Sequence, residues 1–319
     1  MNGWLIAAIA LAVTLASTPL VIVAARRAGI VDRPGALKPQ TAPVPYLGGL
    51  AVFLGLIVGA AVGRPATLVP LALALALGVG DDRFDLPPVL RLIGQLAIGA
   101  AVVAACPIHL PGVAAILVIA ITALVVNGVN LIDGLDLLAG GVTAVAAVGF
   151  AVVLHGPGRE LAVALAAALV GFLFYNRPPA RVYLGDGGSY LLGAALAVLL
   201  AYAWAPGVPT PTGTAALALV AVPVGEVTFA IIRRVRGKQS LMTGDRGHPY
   251  DRLVARGWPD LAASLAYVAL GAMLATGALI AAHLASMAAA VAVDVAAAAL
   301  LVASAAATGS LTPDQETRT

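Results

Sequence analysis

Apolar residues dominate this chain in long runs, and polar residues are confined to short connections between them. The runs fall at 3–24, 46–62, 66–80, 90–105, 113–129, 138–154, 160–175, 189–205, 214–232, 260–282 and 284–307. A helix that spans a bilayer needs roughly 17–25 such residues, so the pattern predicts an all-α polytopic membrane protein. About 10–11 transmembrane helices follow, because several runs are short and the last two can be divided differently. The expected organisation is a single integral membrane domain over 1–308 and a short polar tail at 309–319. The first run has no basic segment before it, and Arg26, Arg27, Arg33 and Lys38 come after it. It therefore reads as a retained first helix with its amino terminus outside, not as a cleaved signal.

The connections sort by side. One side carries 25–45, 81–89, 130–137, 176–188 and 233–259; the other carries 63–65, 106–112, 155–159, 206–213 and residue 283. Of 18 Lys and Arg residues, all but Arg64, Arg159 and Arg318 lie on or at the edge of the first side. The positive-inside rule makes that side cytoplasmic in a plasma membrane. Asp32, Asp81, Asp82, Asp85, Asp133, Asp136, Asp186, Asp245 and Asp251 fall there too, with His248, whereas His109, His155 and His283 fall opposite. A site is expected to open to the cytoplasm near the membrane surface.

Composition agrees: 61% of residues are hydrophobic and 10% charged, against about 25% charged in soluble domains. A single cysteine, Cys106, excludes an intrachain disulfide framework and a cysteine zinc site, and reads as a small buried residue near a helix end. No nucleic-acid partner is expected.

Four polar clusters carry candidate chemistry. In NGVNLIDGLDLLAGG, Asn127, Asn130, Asp133 and Asp136 recur every third residue. Each step of three falls about 60° short of a helical turn, so the four share a face only if the helix tightens or ends near Gly134. They serve as a polar wall for a ligand or metal, or as a cap and turn. In YNRPPARVYLGDGGSYLLGAAL, Asp186 precedes an apolar run within a Gly-rich turn, which suits phosphate with a carboxylate-held cation, or an ordinary loop. Asn176 could equally be a helix C-cap. The loop 233–258 holds seven basic residues, with Asp245, Arg246 and His248 as a compact knot; it is an anchor to acidic lipid or a clamp on an anionic ligand. The fourth cluster is GVGDDRFDLPPVLR, where Asp81, Asp82 and Asp85 gather as an apolar run ends. Lys38, in a Pro-rich loop, is a phosphate point charge or a membrane-edge anchor. Together these residues point to phosphate chemistry with Mg²⁺, since hard cations prefer oxygen ligands.

The ordered motifs resemble those of the polyprenyl-phosphate N-acetylhexosamine-1-phosphate transferases. They are D-x-P-x-x-x-K with P-x-x-G-G (Asp32, Pro34, Lys38, Pro45, Gly48, Gly49), the acidic pair, and N-x-x-N-x-x-D-G-x-D (Asn127 to Asp136). N-x-x-P-A with G-D-x-G-S (Asn176, Asp186, Ser189) and D-R-x-H (Asp245, Arg246, His248) follow, all within 31–258. The resemblance implies transfer of a sugar 1-phosphate from a UDP-N-acetylhexosamine, GlcNAc or a relative, to polyprenyl phosphate at a multi-pass membrane enzyme. It implies Asp81 as base or phosphate-positioning carboxylate with Asp82 beside it, and Asn130 and Asp186 on Mg²⁺ or Mn²⁺. Lys38 would contact the diphosphate, Asn127, Asp133, Asp136 and Asn176 would line the nucleotide site, and Asp245, Arg246 and His248 would close over sugar and phosphates. A homodimer is a further implication. The chain departs from the family at Leu37-Lys38-Pro39-Gln40, at Pro249-Tyr250-Asp251 after His248, and at Leu137, where the family repeats a glycine. A secondary transporter binding ions through intramembrane acids and a CDP-alcohol-type phosphotransferase are the alternatives.

Overall fold

A computed structural model describes residues 1–33, 42–106, 112–240 and 247–312. Its helices are α1 (Gly3–Ala28), α2 (Gly48–Gly63), α3 (Leu68–Phe84), α4 (Pro88–Ala105), α5 (Gly112–Leu131), α6 (Leu138–Val153) and α7 (Gly156–Asn176). After these come α8 (Gly185–Ala203), α9 (Thr210–Ala215), α10 (Ala221–Arg236), α11 (Pro249–Ala255), α12 (Asp260–Leu284) and α13 (Met287–Thr308). A two-residue antiparallel ladder pairs β1 (Val31–Asp32) with β2 (Val44–Pro45), Val31 opposite Pro45 and Asp32 opposite Val44.

Among the described residues, nine helical segments are long and apolar enough to cross a membrane, with α9 through α10 counted as one, and α2 and α6 are shorter apolar helices. The protein is an all-α polytopic membrane protein. Each predicted run coincides with one of these segments, but several ends differ. The third run was expected to stop before Asp81, yet α3 continues through Asp81 and Asp82 to Phe84. Asp186 was expected in a turn, yet it sits in the first turn of α8. The ninth run is interrupted, because a 3-10 segment at Ala216–Val220 joins α9 to α10.

Helix ends follow their local chemistry. Asn2 caps α1 by accepting from the Trp4 N–H, and Gly29 ends it in the left-handed region at φ 70°. α8 is the hub of the bundle: 94% of its apolar window is buried, against 17% for α13. A helix apolar on every side has to be surrounded, and α8 is packed by α2, α3, α4, α5, α6 and α7. The peripheral helices turn large residues such as Trp4, Leu20, Val113, Ile116 and Val295 outward. In a bilayer that outward face meets lipid, so close helix approach relies on small residues. Gly49 lies directly against Gly188, where an added Cβ would stand 2.2 Å from the Gly188 Cα. Gly193 lies in the same way against Val126 of α5.

Candidate active site

One end of the bundle opens into a cavity of about 960 Å³, walled by β1, β2, the ends of α3, α5 and α7, and the starts of α8 and α12. Its described lining holds six aspartates, Asp32, Asp82, Asp133, Asp136, Asp186 and Asp260, and no Lys or Arg. An acid-rich wall in a bundle this apolar is electrostatically costly. The fold spends backbone donors to build it.

The start of α8 is the centre of that construction. Asp82 Oδ1 accepts from the Asp186 N–H at 3.0 Å and Oδ2 from the Gly187 N–H at 3.1 Å. A carboxylate from α3 thus satisfies the first free donors of α8 at the positive end of its dipole. That bond network explains why α3 runs on through its acids. Gly185 opens this turn at φ 71°, and a Cβ there would lie 2.3 Å from the Tyr46 carbonyl oxygen, so only glycine fits. Opposite, Asn130 on the last turn of α5 donates Nδ2 to Asp186 Oδ1 at 2.7 Å and to Ser189 Oγ at 3.1 Å.

The three-residue repeat resolves as a fan. Asn127 faces α4 and exchanges amide hydrogen bonds with Gln95, away from the cavity lining. Asn130 faces α8. Helix α5 then ends at Leu131, which lets Asp133 and Asp136 enter the cavity wall from the loop that follows. Burial, then the charges of Asp186, Asp82 and Asp136, push the Asp133 carboxyl well above the usual carboxylate range. Burial also raises Asp136, against the lowering effect of the Ala180 N–H that donates to its Oδ2 at 2.9 Å. Tyr183 is pushed up to about 12 by burial and by Asp136 and Asp32, so its hydroxyl keeps its proton at neutral pH.

Two expected site residues hold the wall from behind. Asp81 is 4% exposed and absent from the cavity lining. Its Oδ2 accepts from Tyr190 Oη at 2.7 Å and lies 3.5 Å from Arg91 Nη1, while Oδ1 accepts from the Leu86 N–H at 3.0 Å. Asn176 touches the cavity, but its amide is committed to the frame: Oδ1 accepts from the Leu137 N–H at 2.9 Å and Nδ2 donates to the Val182 carbonyl at 3.0 Å. Lys38, Asp245 and Arg246 lie outside the described residues.

His248 is buried at 3% exposure, with Nδ1 2.9 Å from Glu226 Oε2. The other Glu226 oxygen accepts from Tyr267 Oη. Tyr250 stacks on His248, with centroids 5.5 Å apart and planes 7° apart, and donates to the Leu131 carbonyl at 2.8 Å. The network therefore ties α10, α11 and α12 to the end of α5, beside the Asp133 loop. Glu226 was missed in the sequence reading, although a lone carboxylate inside an apolar run is itself a signal. Glu226→Ala strands His248 and Tyr267 without their acceptor and is expected to cost about 2–4 kcal/mol, read as a lowered midpoint of thermal unfolding.

Residues 65–203 match the model of Glycosyl transferase family 4. The Bacillus subtilis protein named probable undecaprenyl-phosphate N-acetylglucosaminyl 1-phosphate transferase is 29% identical over 296 residues, covering 85% of this chain and 83% of that protein. The Mycobacterium tuberculosis decaprenyl-phosphate N-acetylglucosaminephosphotransferase is 32% identical over 77% of this chain and 74% of its own length. The chain belongs to the polyprenyl-phosphate N-acetylhexosamine-1-phosphate transferase family. A muramoyl-pentapeptide relative, from Desulforamulus reducens, is 33% identical but matches only 60% of this chain. Two departures from the family's pattern have a visible place. Tyr250 fills space over Gly134, where an added Cβ would lie 2.3 Å from the Tyr250 hydroxyl. Leu137 takes up φ 70°, a left-handed conformation that suits the family's glycine.

The donor set fits a hard divalent cation. Among the described residues no three His, Cys, Asp or Glu side chains converge tightly enough to cage a metal. Mg²⁺ does not require a cage, since it keeps several waters and takes one or two carboxylates plus substrate phosphates. Asp186, Asp133 and the Asn130 amide are oxygen donors on one cavity wall, and the six aspartates that line the cavity gather negative charge that a cation would offset.

Proposed function

We propose that the chain transfers an N-acetylhexosamine 1-phosphate from a UDP-sugar to polyprenyl phosphate at this cavity, releasing UMP. The observation that carries the reading is the acid-lined cavity at the start of α8, in a chain of this family. The lipid phosphate oxygen forms a bond to the sugar-linked phosphorus as the bond from that phosphorus to UMP breaks. The second pKa of a phosphate monoester is about 6, so at neutral pH most of the lipid phosphate is already dianionic. The protein then has to hold two anions in line more than remove a proton.

In this reading Asp186 and Asn130 would hold Mg²⁺, which would supply positive charge to the substrate phosphates. Asp82 fixes the first turn of α8 beside them. Asp133 and Asp136 line the nucleotide side, with the protonated Tyr183 as a donor. Asp81 acts through Arg91 and Tyr190 as a positioning residue, because its carboxylate is committed behind the wall. Lys38, Asp245 and Arg246 are assigned to the diphosphate and sugar by the family's motifs, while His248, buried on Glu226, holds α11 beside the Asp133 loop. The site faces the cytoplasm and the amino terminus faces out, supported by the bias of Lys and Arg toward the cavity side. Membership of this family weighs against the transporter and CDP-alcohol readings, and a homodimer belongs to the same proposal.

The test is UMP release from UDP-GlcNAc by the purified chain in detergent. Release is expected only when polyprenyl phosphate and Mg²⁺ are both present, and EDTA is expected to stop it. Lipid-independent or metal-independent release would sink the assignment.

A further inference from the structure

At the opposite end of the bundle a second cavity, of about 650 Å³, lies among the carboxyl ends of α2, α6, α8 and α12 and the amino end of α7. Short featureless loops gave no hint of it in sequence. Arg64, His155 and His283 all line it and are all exposed. Arg64 donates Nε to the Ala105 carbonyl at 2.6 Å, which fixes the guanidinium while using one of its five donors. α7 is 21 residues long, and its N-cap, His155, makes no side-chain cap bond; the next residues are Gly156, Pro157 and Gly158. That end therefore offers backbone N–H groups and the positive pole of a dipole with little side-chain bulk in the way.

An independent observation points to a ligand. Tyr202 lines the cavity at 6% exposure, and among the described residues its hydroxyl has no hydrogen-bond partner. A buried hydroxyl without a partner is unfavourable unless something else occupies the site. The remaining wall, including Val152, Leu154 and Leu279, is apolar. Glu160 sits beside Gly63 and is not part of the described lining.

We propose that this cavity binds a phosphate headgroup, with Arg64, His155, His283 and the α7 amino end on the phosphate and Tyr202 donating to it. The apolar wall accommodates the chain attached to that phosphate. The site is separate from the aspartate cavity, and it stands whether or not the transfer reaction is as assigned.

The experiment is thermal unfolding of the full chain in detergent, titrated with phosphatidic acid, phosphatidylcholine or inorganic phosphate. Phosphatidic acid is expected to raise the midpoint more than phosphatidylcholine does. Arg64→Gln should weaken that response about tenfold, the loss of one charge-assisted contact, and Tyr202→Phe should weaken it while raising the unliganded midpoint, because the unpartnered hydroxyl is gone. Asp186→Ala should leave the response intact, which separates this site from the aspartate cavity. An equal, variant-sensitive response to inorganic phosphate supports the phosphate site with a dispensable tail. A response that is the same for both lipids, or unchanged in Arg64→Gln and Tyr202→Phe, overturns it.

Discussion

Gly78→Ala is expected to abolish transfer and deplete folded protein, while Gly80→Ala, two residues along the same helix, leaves both intact. A Cβ on Gly78 would stand 2.2 Å from the Asp186 carbonyl oxygen and 2.5 Å from the Gly187 nitrogen. These are backbone atoms of the first turn of α8, so no side-chain rotation relieves the overlap. Overpacking a core costs about 1–3 kcal/mol where side chains can shift, and here the helix itself has to move. Moving it pulls the Asp186 and Gly187 N–H groups off Asp82 and shifts Asp186 relative to Asn130. At Gly80 the nearest atom is Leu86 Cδ1 at 3.9 Å, and alanine there gains up to about 1 kcal/mol of helix propensity. Detergent-stable yield and turnover of the pair measure the contrast. Equal behaviour of the two variants would contradict the packing described for α3 against α8.

Asp133→Asn is expected to make the protein more stable and less active. Burial and the neighbouring charges of Asp186, Asp82 and Asp136 raise the Asp133 carboxyl in the folded state. A carboxyl raised on folding binds its proton more tightly when folded, so its contribution to stability falls as pH rises through the interval between unfolded and folded values. The penalty is fully present above that interval, and the neutral amide removes it. In metal-free buffer the unfolding midpoint of Asp133→Asn should rise by a few degrees and lose part of its decline with increasing pH. Transfer should fall about 10²–10³-fold, the scale of removing one electrostatic contact to developing charge. Asp85→Asn is the control: Asp85 is exposed at φ 47°, where asparagine is also tolerated, and both properties should stay as they are. A destabilised Asp133→Asn would mean that the acidic wall is not under electrostatic strain.

The order and number of apolar segments were legible because burial in lipid requires long unbroken apolar runs, and each run coincides with a helical segment. Helix ends were less so. Asp81 and Asp82 read as a loop because two adjacent acids rarely close a helix, and the donors that accommodate Asp82 lie over 100 residues away on α8. The repeat from Asn127 to Asp136 was expected to share a face only if the helix tightened or ended near Gly134; α5 ends at Leu131, and the residues still fan apart, Asn127 toward α4 and Asn130 toward α8. That Asn127 spends its amide on Gln95 was not legible, since nothing local to either residue names a partner on another helix. Asn176 read as a C-cap or a ligand; it is the last residue of α7, touches the cavity, and also joins two loops through its amide. Glu226 went unread because a single acid inside an apolar run has no motif around it, and its meaning appears only beside His248 and Tyr267.

The most direct test of the central claim is formation of a lipid-linked sugar diphosphate from sugar-labelled UDP-GlcNAc, with wild type and Asp186→Ala compared at equal folded concentration. Wild type is expected to give the labelled lipid product in step with UMP, and Asp186→Ala at least about 10²-fold less. Full product formation by Asp186→Ala would contradict the placement of the reaction at the start of α8.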